Sequence, residues 1–315
     1  MKRWIWGLIV VAGLAAALRL MVRFPWPETV TALGAMHPLL LLAALVVNLL
    51  SPLAKGQAWH LLLRPVARHR WRAAQEATLV GSAVNSISMG VTGDAARVTL
   101  LARREAVPVS TAVLSVAWTR VVEGIGLALF LVLAPLFMHV PATVRGLQLG
   151  AAIALVTVFV LSRLGRWARL IVRLPRMLRQ PATLLARMSV GTRLAAPVVC
   201  ALVNWVVQWA TYDLVLRAAG LALPVSASLV ALLAVNIGGV GRLTPGNLGV
   251  TQAAVVAALL PYHVAAEQAV AAGLALQAIQ VLPILGLAAA LVGWSGLRRL
   301  MSVSAEEKEA FRAAA

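Results

Sequence analysis

Nine apolar runs dominate the chain, at about residues 4–22, 37–54, 76–93, 109–136, 146–162, 195–216, 224–241, 246–262 and 266–294. Several reach the roughly 18 to 20 residues that a helix needs to cross a bilayer. With 61% hydrophobic and 12% charged residues, such a pattern specifies an all-α polytopic membrane protein. In lipid the backbone must satisfy its own hydrogen bonds, which favours helices for runs of this length. The net charge of +18 does not point to nucleic acid. Its bases sit in short stretches between the apolar runs, where the positive-inside bias and anionic headgroups place them. The one cysteine, Cys200, allows neither an intrachain disulfide nor a cysteine metal site.

The arginines decide how many runs cross. Nine crossings would export Arg97, Arg103, Arg104, Arg298 and Arg299, against the cytoplasmic excess of Lys and Arg. Six crossings and two re-entrant hairpins remove the conflict: 76–93 dips in from the cytoplasm, and 224–241 with 246–262 dips in from outside. Lys2 and Arg3, Arg64 to Arg72 and the acid-free stretch Arg163 to Arg193 are then all cytoplasmic, as are both termini. Lys2-Arg3 followed by Trp4 to Leu18 has the outline of a signal peptide, but the spans that follow favour an uncleaved first helix. The expected organisation is one transmembrane domain over 1–300: a leading span and loop (1–36), a first repeat with a connecting span (37–162), a basic cytoplasmic segment (163–194) and a second repeat (195–295). A short tail, 301–315, follows. Trp4, Trp26, Trp59, Trp167 and Trp294 fall near predicted span ends and read as interfacial anchors.

Both hairpins are broken by glycine and polar residues. Asn85, Gly90, Gly93 and Asp94 interrupt the first; Asn236, Gly246, Asn247 and Gly249 interrupt the second. Paired interruptions in the two halves of a membrane protein point to a binding site near mid-membrane. Asn85 matches Asn236 and Asp94 matches Asn247, while Asn48, Trp59 and Arg64 have rough counterparts in Asn204, Trp209 and Arg217. Three crossings separate equivalent points, so the repeat is inverted.

Ionisable groups at membrane depth face protein or a wet cavity and are site candidates by default. Asp94 and Arg97 share a face if their segment is helical; Asp94 either caps a helix over Ala95 to Ala106 or orients Arg97. Arg97 is either a phosphate contact or a snorkelling cation. Arg120 and Glu123 read as an ion pair, structural or opened by a competing phosphate; Asp213 and Arg217 read as an interfacial salt bridge. Asn85 and Asn236 can satisfy their own hairpins or a headgroup. Gly90, Gly93, Gly246 and Gly249 suit tight turns and close helix approach. No P-loop, HExxH or nucleophile elbow is present, so no enzyme, cofactor or metal is expected.

The stretches Gly90-Val91-Thr92-Gly93-Asp94-Ala95-Ala96-Arg97, Thr119-Arg120-Val121-Val122-Glu123 and Thr244-Pro245-Gly246-Asn247-Leu248-Gly249-Val250 together resemble the lysylphosphatidylglycerol synthase transmembrane region, or flippase-like, family over roughly residues 37–295. Gln252 stands where the family often has Glu, and Met89-Gly90 replaces its usual Pro-Gly. The resemblance is to the lipid-translocating half of such synthases, without their soluble domain. It implies movement or handling of a phospholipid or lipid-linked intermediate in the bacterial cytoplasmic membrane. On their own chemistry, Asp94, Arg97, Arg120, Glu123, Asn85, Asn236 and Asn247 are the candidate substrate contacts. The expected partners are membrane lipids, including anionic phospholipid. A carrier of a small anion, or a membrane partner for a glycosyltransferase or lipid-modifying enzyme docked on the basic segment, are the alternative readings.

Overall fold

A computed structural model describes residues 24–88, 92–163, 183–184, 187–188, 191–239 and 244–313. The predicted first span at 4–22 and most of the basic stretch between Arg163 and Arg193 lie outside the described residues, as do Gly90, Trp4 and Trp167. Every regular element described is helical: α1 Trp26–Gly34, α2 Pro38–Leu63, α3 Trp71–Ile87, α4 Thr92–Glu105, α5 Val109–Leu133, α6 Ala142–Arg163, α7 Ala195–Ala218, α8 Val225–Gly238, α9 Val250–Leu259 and α10 Ala266–Ala313. Among the described residues, four segments are long and apolar enough to cross a membrane: Pro38–Leu63, Val109–Leu136, Ala195–Ala218 and Ala266–Gly293. The last breaks at Gly293, whose φ is 70°. These spans and the shorter apolar helices make the chain a multi-pass membrane protein.

Length separates spans from hairpins. At 1.5 Å per residue, the 26 residues of α2 cover about 39 Å, more than a hydrocarbon core of roughly 30 Å. The 17 residues of α3 and 14 of α8 give about 25 and 21 Å, and α4 and α9 are no longer than 14 residues. Each of these four falls short of a crossing. They pair as α3 with α4 and α8 with α9, forming two helical hairpins. Each half therefore runs span, hairpin, span: α2, α3–α4, α5 and then α7, α8–α9, α10.

The halves are inverted. α2 and α7 pack along an extensive seam and run antiparallel along it. The His37 amide donates to the Ala218 carbonyl at 2.8 Å, Ser51 Oγ donates to Asn204 Oδ1 at 2.7 Å, and Leu62 packs with Ala201. The first hairpin follows the C-terminal end of α2 and the second follows the C-terminal end of α7, so they enter from opposite ends. Arg64, Arg68, Arg70, Arg72, Arg103 and Arg104 gather at the first end, where Arg70 pairs with Glu105 at 2.9 Å and Arg104 with Glu76. Burial alone would raise the Glu105 carboxyl, but hydrogen bonds and charge from Arg70 outweigh it and hold the group below the usual carboxylate range.

Two expectations are corrected. The run 76–93 is not a complete hairpin. Its residues are chiefly the inbound limb α3, and the return limb is α4, Thr92–Glu105. Hydropathy hides α4 because Asp94, Arg97, Arg103, Arg104 and Glu105 fall within 14 residues. Trp59 is not an interfacial anchor: it is fully buried, and its indole N–H donates to Ser115 Oγ at 2.9 Å. Trp26, by contrast, is 41% exposed; the side chain of Trp294 lies outside the described residues.

Lipid tails are as apolar as leucine, so helices in a bilayer associate by close van der Waals fit and interhelical hydrogen bonds. The first hairpin uses the former. Ala73, Ala77 and Gly81 lie at four-residue spacing on α3 and are all buried. A Cβ on Gly93 would collide with the Gly81 carbonyl and with Asn85, and a Cβ on Gly81 would collide with the stem of Arg97. α3 and α4 thus meet backbone to backbone.

Candidate functional site

The hairpin tips meet between the spans. Gly246 sits in the left-handed region at φ 60°, and a Cβ there would strike the Ser86 carbonyl. Glycine is needed twice over at this contact, for its dihedral and for its size. Around it opens a cavity of about 540 Å³, within the range of small-ligand sites. Its walls come from both halves: Asn48, Ser51 and Lys55 on α2, Ser82, Asn85 and Ser86 on α3, Gln208 and Tyr212 on α7, and Asn236, Asn247 and Thr251 from the second hairpin. Gln277 and Gln280 of α10 and Arg120 of α5 complete the polar wall.

Arg120 is the link between this cavity and a cluster of charge behind it. Its Nη2 donates to both Asp94 oxygens, at 2.9 and 2.7 Å, and Nη1 donates to Glu123 Oε2 at 3.0 Å. The Arg120 side chain is 46% exposed, whereas those of Asp94 and Glu123 are 21% and 16% exposed. Neither carboxylate lines the cavity. The Arg120–Glu123 spacing was legible at i, i+3; the stronger partner, Asp94, is 26 positions away and was not. Asp94 belongs to the first turn of α4, a helix that begins at Thr92, two residues before the cap expected at Asp94. A carboxylate there also suits the positive end of the helix.

Arg97 takes a different place. It is 6% exposed, with its guanidinium carbon 4.3 Å from the centroid of the Trp59 ring and Nη1 3.8 Å from Asp94. Nε and Nη2 have no partner among the described residues. It stands behind Asp94 and does not line the cavity. Arg97, Arg120, Asp94 and Glu123 together carry no net charge, which is how four ionised groups are kept at this depth. A cation over an indole adds about 0.5 to 2 kcal/mol.

The second hairpin holds no ionised group in its described residues. Asn236 Nδ2 donates to its own helix, at Leu232 O, 2.8 Å. Gln252 Oε1 accepts the Gly249 amide at 2.8 Å, and its Nε2 donates to Gln277 Oε1 at 2.6 Å. Gln277 Nε2 in turn donates to the Gly246 carbonyl at 2.7 Å. Gln252, where the resemblance expects an acid, thus joins a neutral amide chain that ties the tip to α10. Asn247 lies at φ 56°. Its Oδ1 and that of Asn85 are buried without a partner among the described residues.

The structure therefore brings Arg120, Asn85, Asn236 and Asn247 to one cavity, with Gly246 at its edge, and puts Asp94, Glu123 and Arg97 behind Arg120. Gly93 serves the crossing of α3 and α4 and Gly249 the start of α9. Sequence reading missed Ser51, Gln208, Gln277 and Gln280. The polar residues Gln277 and Gln280, one turn apart inside an apolar span, were the available signal for two of them. Asp213 and Arg217 pair at 2.6 Å on the C-terminal half of α7, outside the cavity lining.

This arrangement can be compared with known families. The model of the lysylphosphatidylglycerol synthase TM region matches residues 4–288. The chain belongs to that family. Membership in the lysylphosphatidylglycerol synthase TM region family carries the coarse functional class, a membrane protein of the flippase-like, lipid-handling kind. No curated protein matches the chain.

Proposed function

We propose that the chain translocates a phospholipid or lipid-linked intermediate across the bacterial cytoplasmic membrane without covalent chemistry, the headgroup entering the cavity between the two hairpins. The observation that carries this reading is the cavity itself. It lies where half-length hairpins from opposite ends touch, and it sets the half-exposed Arg120 side chain in an otherwise amide-rich wall. Ile237 and Leu248, next in sequence to the cavity-lining Asn236 and Asn247, are 61% and 58% exposed. They provide an apolar surface for acyl chains beside a polar pocket for the head.

Arg120 is the phosphate contact in this mechanism. A phosphate oxygen accepts charge-assisted hydrogen bonds as a carboxylate does, so a headgroup competes directly with Asp94 and Glu123 for the same nitrogens. Arg97 is a positioning residue, holding Asp94 when Arg120 is engaged by lipid. Positive-inside bias puts the end bearing Arg64 to Arg72 in the cytoplasm, so the first hairpin dips in from that side and anionic lipid is drawn to the same surface.

The test is transbilayer movement of NBD-labelled phosphatidylglycerol in proteoliposomes, read by dithionite quenching. The wild type is expected to expose the inner-leaflet probe. Arg120→Ala is expected to slow this by about tenfold or more, equivalent to at least ~1.4 kcal/mol. Unchanged movement in a folded Arg120→Ala protein would sink the phosphate contact. A wild type that exposes no probe, with this lipid or with the lipids named below, would sink the transport reading.

A further inference from the structure

The wall of the cavity bears on which headgroup fits. Among the described residues its cationic side chains are Lys55 and Arg120, and no carboxylate lines it; most of the remainder is side-chain amide and hydroxyl. A headgroup carrying an ammonium group would meet no carboxylate on the described wall, since Asp94 and Glu123 lie behind Arg120 and are engaged by it; it would lie beside the cations Arg120 and Lys55 instead, which is unfavourable in a site partly removed from water. A bare phosphate fits poorly for the opposite reason. It can only accept hydrogen bonds, whereas amides and hydroxyls present donors and acceptors in similar number.

Asn85 and Asn247 sharpen the point. Both line the cavity, and each has a buried amide oxygen without a partner among the described residues. A buried polar group left unmet costs about 1 to 3 kcal/mol. A hydroxyl both donates and accepts, so it meets the amide whichever way its oxygen and nitrogen are turned.

Resting on the proposed lipid-handling role, we infer that the substrate is a lipid whose phosphate carries an uncharged polyhydroxyl head, a sugar or other polyol, and that aminoacylated, cationic heads are excluded. Arg120 takes the phosphate; Asn85, Asn247, Asn236 and Gln280 take the hydroxyls. Asn236 is already bonded to Leu232 O, so its amide oxygen is the atom offered. Gln280 lines the cavity together with Tyr212.

The test measures binding rather than transport, so that the two readings fail separately. Purified protein in detergent is titrated with phosphatidylinositol, phosphatidic acid and lysyl-phosphatidylglycerol, and protection from thermal unfolding is compared. Phosphatidylinositol is expected to bind roughly threefold to tenfold tighter than phosphatidic acid, the worth of one or two hydrogen bonds, and lysyl-phosphatidylglycerol weakest of the three. Asn247→Ala is expected to erase the advantage of the polyol while leaving phosphatidic acid unchanged. Gln280→Glu, nearly isosteric, puts a carboxylate on the wall and is expected to improve binding of the cationic lipid; this gain keeps the inference testable if Asn247→Ala does not fold. Tightest binding of lysyl-phosphatidylglycerol by the wild type, or equal binding of all three, would overturn the headgroup assignment and leave transport standing. Selective binding of phosphatidylinositol with no movement of it in proteoliposomes would support the assignment and remove the transport reading.

Discussion

The two hairpins occupy equivalent places in inverted halves and are stabilised by different means. In the first, α3 and α4 cross with backbone against backbone at Gly81 and Gly93, and the tip is fixed from behind by four ionised side chains. In the second, α8 and α9 stand at ordinary side-chain distance, with Val250 and Ala254 3.5 and 3.7 Å from where a Cβ on Gly238 would lie. Its tip is held by the neutral chain Gly249–Gln252–Gln277–Gly246. One scaffold thus tolerates an ionic and an amide solution to the same problem, the support of helix ends inside a membrane. Among the described residues, only the ionic one presents a charge to the cavity.

The largest effect should come from removing the ionic solution. Arg120→Ala strands the Asp94 and Glu123 carboxylates, and truncating one member of such a group costs roughly 2 to 5 kcal/mol. The lower part of that range applies because the Arg120 side chain is 46% exposed. Gln277→Ala removes the corresponding centre of the second half and should cost about 1 to 3 kcal/mol through unmet amide and carbonyl groups. Thermal unfolding in detergent compares the two directly; a greater loss for Gln277→Ala would invert the contrast.

Glycine substitutions separate the hairpins next. Gly93→Ala forces a methyl into the α3 backbone and should destabilise by about 1 to 3 kcal/mol. Gly238→Ala meets no close atom and ends a helix that favours alanine, so it should be neutral or gain up to about 1 kcal/mol. Equal losses in chemical denaturation would mean that the first hairpin is no tighter than the second.

Acid gives the smallest distinction. The Glu105 carboxyl, held low by Arg70, contributes stability that is fully present above its unfolded value near 4.3 and disappears as pH falls through its lower folded value. Arg70 is 81% exposed, so the contribution is about 0 to 1 kcal/mol. Arg70→Ala should therefore lower the melting temperature slightly at pH 6, and by progressively less as pH falls through the lowered folded value. The described residues of the second hairpin contain no titratable group, and the Gln252→Ala variant should show no such pH dependence.

The amount legible in the sequence follows the same division. The second hairpin, Val225–Gly238 with Val250–Leu259, is found almost where hydropathy puts it, since both limbs are apolar and the break is marked by glycine and proline. The first is displaced because α4 carries its charges within the fold, and hydropathy scores such charges as surface. Arg120 and Glu123 announce themselves by helical spacing; Asp94 joins them only once α4 folds back beside α5. The same long-range folding turns Trp59 from a span-end residue into the floor beneath Arg97. The cavity draws Ser51, Gln208, Gln277 and Gln280 from three different spans, and no local pattern joins such residues.

The hydrogen bonds at the tips carry one more consequence. Helices that stop inside a bilayer leave carbonyls that water cannot reach, and Ser88, Asn236 and Gln277 spend donors on Val84, Leu232 and Gly246. All three also face the cavity. A guest that recruits those donors unties the turn that presents them, so occupancy and the unwinding of a hairpin end are thermodynamically linked, each favouring the other by the same factor. The pocket's polarity and the chain's ability to let go of its own backbone are one property.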